Sequence, residues 1–67
     1  MDPTYKKIEV VGTSAKSFSD AVNNAIVKAS QSVHGMSWLE VVEQRGSIAD
    51  GKVQQYQVTI RVGFRVD

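Results

Sequence analysis

The sequence predicts a small α+β domain of order β-α-β-β: a three-stranded antiparallel-type sheet, order 1-3-2, with one amphipathic helix packed on one face. Three observations carry this. Three segments alternate between apolar and polar residues with the period of a strand. Between the first two lies a single stretch whose apolar residues recur at helical spacing. The last segment is the longest and contains no proline, so it is free to pair on both edges and take the centre of the sheet.

The first strand is "YKKIEVV", with Ile8 and Val10 on one face and Tyr5, Lys7, Glu9 and Val11 on the other. The small polar run "GTSAKS" predicts a turn that ends it at Gly12. Ser17 then has the character of a helix N-cap, with Asp20 placed where a carboxylate favours the first turn. Phe18, Ala21, Val22, Ala25, Ile26, Ala29 and Val33 form one apolar stripe, and Gly35 is placed to close the helix in a left-handed conformation. The second strand runs from about Trp38 to Arg45. "GSIADGK" reads as the following turn, its Asp50-Gly51 pair favouring positive φ. The third strand spans about Val53 to Val66, apolar at every even position from Tyr56 to Val66. A helix between strands one and two carries the chain back across the sheet, so those two run parallel with strand three between them, antiparallel to both.

The 67 residues form one domain, 1–67. A chain this short buries only about 60% of its extended surface, so it needs a supplement to its own core. Without cysteine it has neither disulfides nor thiolate metal sites, and with one histidine it has no His-based cage; self-association remains. Eight basic and seven acidic residues leave a net charge of +1 with no basic cluster, so nucleic acid is not an expected partner. No apolar run approaches the roughly 18 residues that span a bilayer, so no membrane partner is expected either. "MDPTYKKIEVVG" has no signal-peptide core, and a cytoplasmic location is the expectation.

One helix covers one side of a sheet, which leaves a second face. Counting by simple alternation assigns Tyr5, Val11, Trp38, Val42, Gln44, Gln57, Thr59 and Arg61 to it, with Glu40 beside Trp38 and Glu43 on the opposite side. Such a face is either wet with scattered apolar groups, or it meets another subunit or a flat ligand. Trp, Tyr and Val beside Gln and Thr is a mixture suited to a pocket with an apolar body and a few directional polar groups. Catalytic constellations are absent. The serines have one imidazole, His34, placed at the helix end; "VVGTSAKS" lacks the Gly-Lys-Ser/Thr of a P-loop.

Three segments, "VVGTS" within "YKKIEVVGTSAKSFSDAVNNAI", "WLEVVEQRG", and "YQVTIRVGFR", resemble the dodecin family in order and spacing, and together they span nearly the whole chain. The resemblance implies a β-α-β-β subunit, assembled as a hollow homododecamer whose twofold interfaces each hold two stacked flavins. It implies that Trp38 sandwiches the flavin pair and that Gln57 hydrogen-bonds the edge of the ring system. The bacterial type favours FMN over other flavins such as riboflavin, and some members bind coenzyme A. Both ligands need cations: Arg45 matches the family's R-G position, and Lys6, Lys28 and Arg65 are further candidates. Alternation places Arg45 on the helix side, so the resemblance requires it to reach from the strand end or be redirected by a bulge near Gly46. Leu39 stands where phenylalanine is frequent, and "HGMS" replaces a stretch usually richer in arginine; both bear on ligand preference. The expected role is flavin storage, buffering and photoprotection without catalysis. The alternatives are a coenzyme A-binding or structural shell, or a flavin-dependent enzyme with a second substrate.

Overall fold

The computed structural model describes residues 2–66. The strands β1 (Thr4–Ser14), β2 (Met36–Ala49) and β3 (Lys52–Val66) and the helix α1 (Phe18–Ala29) follow one another as β1-α1-β2-β3. The sheet order is β1-β3-β2, with β1 and β2 both antiparallel to the central β3.

β1 runs through Gly12 to Ser14 instead of ending there. Gly12 is a point of close approach: a Cβ on it would lie 2.1 Å from the Ala21 carbonyl oxygen and 2.7 Å from the Ala25 Cβ. The joint to α1 is fixed by hydroxyls. Ser17 caps the helix by accepting from the Asp20 N–H at 3.0 Å, an interaction worth about 1 kcal/mol. The buried Ser14 hydroxyl donates to the Asp20 carboxylate at 2.6 Å and accepts from the Lys16 N–H at 2.8 Å.

α1 stops at Ala29, one turn before the predicted stripe ends. The Gln31 and Ser32 N–H groups fall back on the carbonyls of Lys28 and Ala29, and the chain turns away. Gly35 does take the left-handed conformation (φ +74°), but as the entry to β2, where its carbonyl accepts from the Arg65 N–H at 3.2 Å. At the other end of β2, the predicted seven-residue turn shrinks to Asp50-Gly51. Their φ values of +54° and +72° are those of a two-residue type I′ hairpin closed by Ala49 and Lys52.

The core is small: Ala21 and Ala25 of the helix over Val58, Ile60 and Val62 of β3, flanked by Ile8, Val10, Val22, Ile26 and Met36. The two alanines let the helix settle close on β1 and β3. It does not cover β2, so Leu39 and Val41 remain exposed on the helix side. Beyond the Ser14–Tyr56 pair, β1 has ended and the β2–β3 hairpin projects alone, with Ile48 73% and Val53 52% exposed. The molecule measures 55 × 20 × 13 Å, and its 13.9 Å radius of gyration exceeds the about 11 Å of a compact chain this long. None of the helices among the described residues is long and apolar enough to cross a membrane.

Candidate functional site

The face of the sheet away from α1 is built in rows across the three strands, because residues paired in register share a side. From one end the rows are Tyr5–Arg65, Lys7–Gly63–Trp38, Glu9–Arg61–Glu40, Val11–Thr59–Glu43 and Thr13–Gln57–Arg45, with Ser47–Gln55 last.

Trp38 lies over Gly63. A Cβ on that glycine would sit 2.3 Å from the indole Cε2 and Cζ2, so the ring occupies the space a side chain would need. Tyr5 meets the indole edge-on, with centroids 5.0 Å apart and planes at 65°. Gly63 is buried beneath this pair, while Trp38 itself stays 42% exposed. A glycine inside a long strand is a known sign of close approach, and it is the signal by which Gly63 could have been found in the sequence.

The middle rows are charged. The Lys7 Nζ donates to the Glu40 carboxylate at 2.5 Å, and Arg61 stands 3.7 Å from Glu9. The hydrogen bond from Lys7, with its charge and that of Arg61, holds the Glu40 carboxyl below the usual carboxylate range. At the hairpin end, the Gln57 Nε2 donates to the Gln55 Oε1 at 2.8 Å, and Arg45 Nη1 is 3.8 Å from Glu43.

Trp38 and Gln57 therefore share a face, as alternation predicts. Arg45 joins them by a route alternation misses. A bulge between Val41 and Glu43 leaves Val42 without a partner, so every later residue of β2 changes side. Arg45 stands directly opposite Gln57; the redirecting bulge is at Val42, upstream of the expected place near Gly46. The same bulge corrects two other assignments. Gln44 pairs with Val58 on the helix side, and Glu43 lies on the same face as Glu40. Arg65 is also on this face, paired with Tyr5 at the far end. Lys6 is not: it pairs with Phe64 on the helix side. Lys28, in the last helical turn, lines a depression with Val10, Val11 and Asn24 at the β1 edge. His34 is exposed in the connection from α1 to β2, and no group of three metal-ligating side chains occurs among the described residues.

Within one chain Trp38 and Gln57 do not meet. The β3 partners of Trp38 and Arg45, Gly63 and Gln57, are six positions apart, about 20 Å along a strand. One end of the face is aromatic, the other an amide and a guanidinium, with ion pairs between.

The family model described as Dodecin matches residues 4–67. The chain belongs to the dodecin family. The dodecin of Thermus thermophilus is 40% identical over 67 residues, covering 100% of this chain and 97% of that protein. Dodecin from Streptomyces davaonensis superposes with a TM-score of 0.96 at 45% identity, over 100% of this chain and 98% of its own. Dodecin from Streptomyces coelicolor does so with 0.95 at 44%, over 98% and 94%. The dodecin match includes all three strands and the helix, and with them every row of the exposed face. It bears out the β-α-β-β fold and the strand order read from the sequence.

Proposed function

We propose that this chain is a flavin-binding storage protein that takes up FMN in pockets shared between copies of itself, with no catalysis of its own. The observation that carries the reading is the pose of Trp38: a half-exposed indole laid over Gly63 on a sheet face that no element among the described residues covers. An indole held there offers a flat surface for an isoalloxazine, each aromatic contact adding about 0.5–1.5 kcal/mol beyond area burial. Gln57 supplies a donor and an acceptor for the pyrimidine edge, and Arg45 beside it a cation for the phosphate.

The distance between the two ends of the face favours a site made by two copies. Some 20 Å exceeds the reach of one tricyclic ring system, whereas a twofold axis across this face lays the Trp38 end of one copy over the Gln57 end of another. The small core, the uncovered helix side of β2 and the bare hairpin add apolar surface that further copies would bury, in keeping with a closed homododecamer. Storage then works by sequestration. A flavin held there would lie against the Trp38 indole, an electron-rich ring that would quench its excited state by reversible electron transfer and so limit side reactions.

Fluorescence titration with FMN tests the reading. The protein should quench the flavin on binding, and Trp38→Ala should lose most of both affinity and quenching; equal behaviour of the two proteins would sink it. Light scattering should give one species near twelve subunits. Calorimetric binding of coenzyme A alone, or steady-state turnover with a reduced nicotinamide and an acceptor, would instead favour the shell or the enzyme.

A further inference from the structure

The amide of Gln57 is held by a neighbour. Its Nε2 donates to the Gln55 Oε1 at 2.8 Å, and both side chains are half-buried on the same face. Thr13 and Arg45 flank Gln57 in its own row, and Ser47 stands opposite Gln55. A primary amide presents two different ends, and rotation by half a turn exchanges its acceptor for its donors. Which end a ligand meets is therefore set by whatever the amide nitrogen already binds.

We propose that Gln55 is the positioning residue that sets ligand specificity at this site, by fixing Gln57 with its carbonyl oxygen free. The inference rests on the flavin reading and gives it a selectivity. With one N–H engaged by Gln55, Gln57 keeps an acceptor and one further N–H for a ligand. That pair suits a ring edge in which an imide N–H lies beside a carbonyl, as in a pyrimidinedione. Oε1 accepts from the imide N–H, and the remaining N–H donates to the carbonyl. A ring alkylated at the imide nitrogen has no proton to offer and leaves Oε1 unpaired, a loss that a hydrogen-bonding site penalises strongly. Without the Gln55 acceptor the Gln57 amide turns freely, and this discrimination weakens.

The test compares FMN with its N3-methyl derivative, so that the phosphate and the stacking surface cancel in the ratio of affinities. The wild-type protein should prefer FMN by about tenfold, the equivalent of one well-made hydrogen bond. Gln55→Leu, which removes the acceptor at similar size, should reduce that ratio to about threefold or less, by weakening FMN and not its methyl derivative. Gln55→Glu keeps an acceptor for the Gln57 nitrogen and should restore the ratio. In a Gln57→Ala background, where discrimination is already gone, Gln55→Leu should have no further effect on the ratio. A wild-type ratio near one, or an unchanged ratio in Gln55→Leu, overturns the proposal. So does an equal loss of both ligands in that variant, which marks a structural role. Failure of the wild-type protein to bind FMN at all overturns the flavin reading itself.

Discussion

Arg45 and Gln57 face each other across the β2–β3 ladder on the side away from the helix, because Val42 is left out of the pairing. The two side chains thus form one polar end of the exposed face. Arg45 is largely exposed, with Glu43 as its distant ion-pair partner at 3.8 Å. Arg45→Ala should weaken FMN binding about tenfold, the scale of one charge-assisted hydrogen bond, and leave riboflavin nearly unchanged. Parallel titrations of the two flavins check this, and the difference should shrink as salt is raised.

Gly63 keeps the indole of Trp38 against the sheet. Gly63→Ala introduces a methyl group into the space the ring fills, and Trp38, being the exposed partner, has to swing out. The expected result is a folded protein with a redshifted tryptophan emission, a weaker near-UV circular dichroism band from the Tyr5–Trp38 pair, and at least a several-fold loss of flavin affinity.

On the other side of the sheet, Gly12 has no such escape. The atom that a Cβ would strike is the backbone oxygen of Ala21, in the middle of α1. Gly12→Ala should cost about 2 kcal/mol or more by lifting the helix from the core. Urea unfolding of the two proteins would measure it, with a fall in the midpoint at an unchanged slope.

The Lys7–Glu40 pair gives a pH signature. Its hydrogen bond depresses the Glu40 carboxyl in the folded state. A depressed carboxyl stabilises the fold at pH above its unfolded value, and that contribution is lost as the pH falls through the folded one. Lys7→Ala should move the Glu40 titration, followed by carboxyl NMR, up towards the ordinary glutamate range. Stability at neutral pH should change little, since both groups are exposed.

Most of the fold was legible because its signals are local. Alternation in β3, the Ser17 cap and the Asp50-Gly51 pair each specify their own few residues, and the sheet order follows from the single crossover. The errors arose where a distant partner decides. Gly12 reads as a strand end until the helix is seen to lie across it. The last predicted turn of α1 has apolar spacing in Val33, but the Gln31 and Ser32 N–H groups take the nearer carbonyls of Lys28 and Ala29 instead. Of the site, Trp38 and Gln57 follow from parity plus family resemblance. The positions of Arg45, Glu43 and Gln44 depend on one bulge, and no residue near Val42 announces it. Lys6 is a candidate by charge alone; its row places it on the helix side, away from Trp38 and Gln57.

The unpaired Val42 also gives β2 a point of slack. On either side of it the strand already pairs in the correct phase, Val41 with Ile60 and Glu43 with Thr59. A chain shortened by that one residue would join two correctly phased halves into a stretch paired regularly from Trp38 to Ser47, with Trp38 and Arg45 still on one side and Leu39 on the other. Length variation between relatives is then tolerable at this point without exchanging the two surfaces. An alignment gap there would signify a straighter strand and the same site.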